Sequence, residues 1–204
     1  MELKLVIFDL DGVLVDACEW HRLALNAALK EVCNYEISLE EHYSTFNGIP
    51  TSVKLAKLSE MGIIPIEKHQ QIYDLKQKKT VDIINEFAVV RPEKIELIRR
   101  LQAQNIHVAC FTNSIRKTAL LMLRETGILD LFELITTNQD VIKSKPDPEG
   151  YLKTMKHFNV KKESVIIVED SPKGIAAARA SGCDVIEVSN PDEVNIKLFE
   201  EYIK

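Results

Sequence analysis

Five short runs of β-branched and aliphatic residues set the terms on which this chain can fold: Leu3–Phe8, Ile106–Phe111, Glu133–Thr137, Ser164–Val168 and Asp184–Val188. Most are continuously apolar rather than alternating, so strands built from them need cover on both faces. Helical patterns lie between them: Pro92–Ala103, Ile115–Thr126, Pro148–Phe158 and Pro172–Ala180. Three of these begin at a proline, whose missing N–H costs nothing in a first helical turn. Gly127 and Gly182 follow two of them as stop signals. Asp192–Tyr202 also reads as helix. Alternation of this kind predicts an α/β class: a Rossmann-like parallel sheet with helices on both faces.

One stretch breaks the alternation. Between Asp16 and about Ala88 only helical patterns appear: Cys18–Cys33, Ser38–Phe46, Thr51–Met61 and Ile66–Phe87. Ser38 followed by Glu41 is a capping box. About 70 helical residues exceed any simple crossover. We expect a core of residues 1–15 and 89–204 and an inserted all-helical cap of residues 16–88, joined by linkers near 14–17 and 87–90.

Hydrophobic content of 46% and charged content of 28% suit an ordinary globular protein. The net charge of −5 and the scattered basic residues give no nucleic-acid footprint. No apolar run approaches a membrane span of about 20 residues, and Met1-Glu2 leads straight into a strand rather than a signal peptide. Cys18, Cys33, Cys110 and Cys183 lack paired spacing. They read as free thiols in a reducing, cytoplasmic setting.

The polar residues that carry chemistry sit where strands end, which is where open α/β sheets bind ligands. Asp9 and Asp11 close the first strand. In extended chain they would share a face, and their charges would then need a cation or a proton between them. Thr112-Asn113-Ser114 follows the second strand, and Glu169-Asp170-Ser171 the fourth. Lys145 lies in Lys143-Ser144-Lys145-Pro146-Asp147-Pro148. Four carboxylates gathered at one place call for a hard divalent cation, and Mg²⁺ favours such oxygen donors. With that charge offset, one carboxylate can attack phosphorus and a second can move protons. Ser171 reads as the N-cap of the Pro172 helix. Gly174 reads as a close-packing position.

Taken in order, Phe8-Asp9-Leu10-Asp11-Gly12, Thr112-Asn113, Lys145-Pro146-Asp147-Pro148 and Glu169-Asp170-Ser171-Pro172-Lys173-Gly174 resemble the four motifs of the haloacid-dehalogenase-like hydrolases. The resemblance spans nearly the whole chain. Asp-x-Asp alone is common; four motifs in sequence, each at a strand or loop end, are specific. The helical cap is similar to that of members such as sugar-phosphate phosphatases and β-phosphoglucomutase.

The resemblance implies a Mg²⁺-dependent phosphatase of a small phosphorylated metabolite, a sugar phosphate first among candidates. Asp9 would be the nucleophile and Asp11 the general acid/base. Asp11 would also reach the metal through its backbone carbonyl, beside Asp9 and Asp170, with Glu169 a further ligand or the group that orients a metal-bound water. Thr112 and Asn113 would grip phosphate, and Lys145 would bridge phosphate and nucleophile. In the cap, His21 resembles in place a mutase histidine at the sugar, and equally reads as a helix-surface residue. Gly48 and Thr51 lie in a segment, Phe46–Thr51, similar to a substrate-selecting loop. Thr51 stands where the mutase pattern has an arginine; Lys54, Lys76 and Lys78 are the candidate substitutes. The alternatives are a phosphosugar mutase and a non-catalytic binding module on the same fold.

Overall fold

β1 (Leu5–Phe8) is buried at every position and lies mid-sheet, as its unbroken apolar sequence requires. A computed structural model describes residues 2–46 and 49–202, with the backbone alone at Tyr43. The chain forms two compact units: the segment through Asp16 together with Ala88 onward, and Ala17–Phe87.

After β1 the chain enters the helical unit. Its elements are α1 (Ala17–Cys33), α2 (Leu39–Glu41), a π-helical segment (His42–Phe46), α3 (Thr51–Glu60), a 3₁₀ turn (Ile66–Lys68) and α4 (His69–Phe87). Leu25, Leu29, Ile37, Phe46, Leu55, Leu58 and Ile72 form its core. The amide of buried Asn26 clamps the backbone of Ile37, donating to the carbonyl at 2.8 Å and accepting from the N–H at 3.1 Å. The Ser38–Glu41 capping box is present in both directions. The helices expected over Ser38–Phe46 and Ile66–Phe87 are each subdivided, because π and 3₁₀ turns occupy part of each span.

His42 is 2% exposed in this unit. Burial, then the positive charges of Lys54 and Arg22, push its imidazole from 6.5 down to about 4, with Glu19 opposing. Above 6.5 neither folded nor unfolded chain protonates it. Between 6.5 and about 4 the unfolded chain takes the proton first, so stability falls as pH falls. We expect a loss of about 1–2 kcal/mol between neutral pH and about pH 5. Urea denaturation at the two pH values should show it, and His42→Gln should flatten the difference.

The other unit continues with α5 (Pro92–Ala103), β2 (His107–Phe111), α6 (Arg116–Glu125), β3 (Leu134–Thr136), α7 (Glu149–Phe158), β4 (Val165–Glu169), α8 (Pro172–Ser181) and β5 (Asp184–Glu187). The five strands form one parallel sheet in the order β3-β2-β1-β4-β5. Leu5, Ile7, Ala109, Phe111, Val165 and Ile167 point to one face and pack with Tyr151 and Met155 of α7 and Ala177 and Ala178 of α8. The alternate positions Val6, Phe8, Val108, Cys110, Ile166 and Val168 are buried too, as expected of a sheet covered twice.

The C-terminal segment departs from the expected helix over Asp192–Tyr202. It forms two 3₁₀ turns, Pro191–Glu193 and Ile196–Phe199. The side chains of Asn190 and Asn195 each cap a turn, offering the backbone an alternative to α-helix. The buried Lys94 ammonium donates to the carbonyls of Pro191 and Val194, acceptors a continuous helix would have needed.

Candidate active site

The sheet order reverses direction at β1, since β2 and β3 lie on one side of it and β4 and β5 on the other. This opens a crevice at the carboxyl ends of β1 and β4. Phe8 pairs with Val168, so the next residues, Asp9 and Glu169, emerge side by side. The Asp9 N–H still donates to Val168 at 3.0 Å.

The chain then turns. Gly12 and Val15 close a tight loop in which Val15 N–H reaches back to Leu10. Gly12 has φ of +89°, and a Cβ there would lie 2.1 Å from Asp170 Oδ2, so both conformation and space demand glycine. The turn carries Asp11 past the end of the strand, while its charge still acts on Asp9 and Asp170. β1 ends at Phe8, and Asp11 lies beyond it in the loop. The Asp11 carboxylate accepts from the hydroxyls of Thr112 at 2.9 Å and Ser114 at 3.0 Å. Carboxylate oxygens of Asp9, Glu169 and Asp170 do converge, all within 4.8 Å of one another.

Lys145 provides the matching positive charge. Its ammonium donates to Asp9 Oδ1 at 2.6 Å, Glu169 Oε1 at 2.5 Å and the Phe111 carbonyl at 2.9 Å. Asn113 pins its loop, accepting from Lys145 N–H at 3.1 Å and donating to its carbonyl at 3.4 Å. Burial alone would lower the Lys145 pKa; the negative charge of Asp9 leads the groups that reverse this, and the ammonium is held well above its usual range. The Asp9 carboxyl is pushed up, first by burial and then by Glu169. Asp170 rises to about 7, again by burial and then by Glu169 and Asp11.

Glu169 is fully buried and accepts from five donors: Lys145, the Tyr151 hydroxyl at 2.8 Å, the Asp170 and Ser171 N–H groups and the Ser171 hydroxyl. Ser171 also caps α8 through Gly174 N–H at 3.1 Å. A Cβ on Gly174 would lie 1.8 Å from Glu169 Oε1. Gly174→Ala should therefore displace Glu169 or α8, costing about 1–3 kcal/mol by overpacking. Any activity that depends on the geometry of this cluster should fall at least roughly tenfold, since a shift of about an ångström at a reacting site is enough for that. Denaturant titration beside a rate assay checks both.

The acidic cluster fits a divalent cation. Asp170 Oδ1 is buried with no hydrogen-bond partner among the described residues, and it stands beside two more carboxylates with one ammonium to offset them. An all-oxygen donor set of this kind suits Mg²⁺.

The remaining sequence candidates lie in the helical unit. His21 Nδ1 lies 3.2 Å from Lys76 Nζ. Thr51 heads α3. Lys54 and Lys76 are buried, while Lys78 is exposed. Gly48 lies outside the described residues. Sequence reasoning missed Tyr151 and His42 altogether. The signal for Tyr151 was available: it sits six residues after Lys145, on the apolar side of the next helix.

The sequence model of the haloacid dehalogenase-like hydrolases matches residues 6–188. A phosphoglycolate phosphatase of Nitrosospira multiformis is 29% identical over 190 residues, covering 91% of this chain and 82% of that one. The CbbY protein of Rhodobacter capsulatus is 30% identical over 193 residues, covering 91% and 85%. Among solved structures, CbbY from Rhodobacter sphaeroides in complex with phosphate superimposes with a TM-score of 0.80 at 23% identity, over 91% of this chain and 85% of that one. Among the described residues, no helix is long and apolar enough to cross a membrane.

Proposed function

This chain belongs to the haloacid dehalogenase-like hydrolases and is an enzyme of that family's phosphatase kind; from this premise we propose that it hydrolyses a small phosphorylated metabolite, a sugar phosphate, through a phosphorylated Asp9. The observation that carries the reading is the convergence of Asp9, Lys145, Glu169 and Asp170 at the crevice between β1 and β4.

Asp9 Oδ attacks phosphorus, and the bond to the substrate oxygen breaks. Asp11, oriented by Thr112 and Ser114, gives a proton to that leaving oxygen. It then takes one from the water that attacks the acyl phosphate, which releases inorganic phosphate and restores Asp9. Lys145 spans nucleophile and phosphate, so that the dianion approaches a carboxylate already paired with a cation. Asn113 fixes the Lys145 loop. Asp9, Asp170 and the Asp11 carbonyl would hold Mg²⁺, with Glu169 beside them. Bound there, the cation supplies electrostatic relief between carboxylate and phosphate.

The experiment is phosphate release from a panel of phosphorylated sugars, phospho-acids and nucleotides, with Mg²⁺ and with EDTA. Mg²⁺-dependent release, strongest for a sugar phosphate, is expected. Conversion between phosphate isomers without release would replace the phosphatase by a mutase. Equal release in EDTA would remove the metal.

A further inference from the structure

The Lys145 ammonium has three hydrogens, and each is already directed at a fixed acceptor: Asp9 Oδ1, the Phe111 carbonyl and Glu169 Oε1. Its side chain is 3% exposed, so water offers no fourth arrangement. A lysine saturated in this way can donate to a phosphate oxygen only if one acceptor releases it. The Phe111 carbonyl belongs to the end of β2 and stays where the sheet puts it. Asp9 is the attacking group and needs its alignment. Glu169 is the acceptor that can spare the lysine, because its Oε1 has a second donor.

That donor is the Tyr151 hydroxyl, 2.8 Å away. The other oxygen, Oε2, is held by Asp170 N–H, Ser171 N–H and the Ser171 hydroxyl. Tyr151 is fully buried, and its ring meets Phe111 edge-on at 4.9 Å and 89°. The ammonium lies 4.8 Å from the Phe111 ring centre and 5.2 Å from that of Tyr151. The two rings therefore favour a cation in this slot whichever acceptor it faces.

We propose that Tyr151 is a positioning residue: its hydroxyl keeps Glu169 Oε1 satisfied while Lys145 turns one N–H from Glu169 to an oxygen of the bound phosphate. The proposal rests on the phosphatase reading above. Without the hydroxyl, the same turn leaves a buried carboxylate oxygen bare, and the cost appears in phosphate affinity. The loss of one hydrogen bond to a charged group corresponds to roughly 10- to 100-fold.

The test is Tyr151→Phe in the full chain with Mg²⁺. KM for the best substrate and the inhibition constant of inorganic phosphate should both rise roughly tenfold or more. The Mg²⁺ concentration for half-activation should stay put. A merely structural tyrosine would lower the melting temperature and the active fraction while leaving KM and the inhibition constant unchanged, and that result overturns the proposal. If Tyr151→Phe does not fold, the wild type decides by NMR. Added phosphate should shift the Lys145 ammonium signal and leave the slowly exchanging Tyr151 hydroxyl proton in place; loss of that proton signal refutes the proposal. Failure of the underlying reading looks different: a wild type that neither releases nor binds phosphate.

Discussion

Asp9→Asn is expected to lower turnover by at least about 10⁴-fold, the scale on which loss of an attacking group acts, while the fold survives. The two side chains have nearly the same volume, and the amide oxygen can still accept from Lys145, which now donates to Asp9 Oδ1 at 2.6 Å. The charge is what changes. Burial and the neighbouring Glu169 both disfavour the Asp9 carboxylate, and Lys145 favours it. Neutralising the side chain removes both influences, so stability should stay within about 1–2 kcal/mol of wild type. Mg²⁺ should also bind more weakly, since one of the three clustered carboxylates is gone. Rate, melting curve and Mg²⁺ titration on the same preparation separate these effects. A variant keeping a tenth of wild-type turnover would rule out a covalent route through Asp9. A variant that is inactive because it is unfolded would show in the melting curve and say nothing of the nucleophile.

The sheet was legible because its signal is one-dimensional. A continuously apolar run such as Val165–Val168 can be stable only under cover on both faces, and β4 forms there with every residue buried. Helix starts at Pro92 and Pro172 were legible for the same local reason: a proline suits only the first turn. The acidic and basic members of the site were legible by position, because strand ends in open α/β sheets converge. What sequence could not supply was direction. Asp9 and Asp11 alternate like strand residues, yet the loop closed by Val15 and Leu10 sends Asp11 to Thr112 and Ser114, over 100 residues away. The C-terminal helix failed for a similar reason. Its pattern is helical, but Lys94, itself distant in sequence, claims the carbonyls the helix needs. Tyr151 had a signal in its place after Lys145, but the partner of its hydroxyl, Glu169, lies 18 residues further on and is set only by the fold.

Lys145→Ala should be more damaging to the molecule than Asp9→Asn. The ammonium is the positive centre of a cluster in which Asp9 and Glu169 are 8% and 0% exposed at their side chains. Removing it strips a hydrogen bond from Asp9, from Glu169 and from the Phe111 carbonyl at once. Two buried carboxylates are then left facing each other, with Asp170 close by. Breaking a buried pair by deleting one partner costs about 3–5 kcal/mol, which for a chain of this size lowers the melting temperature by roughly 10 °C. On the mechanism proposed above, turnover should fall by about 10³-fold, since phosphate would lose its point charge and Asp9 its alignment. The cation supplies the discriminating measurement. If Lys145 and Mg²⁺ both offset the same negative charge, Mg²⁺ should raise the melting temperature of Lys145→Ala by more than it raises that of the wild type. Equal shifts in the two proteins would mean that lysine and metal act on separate groups. A variant melting within a degree or two of wild type would mean that the cluster does not depend on its lysine, and the electrostatic account of the site would have to be rebuilt around the Asp170 side.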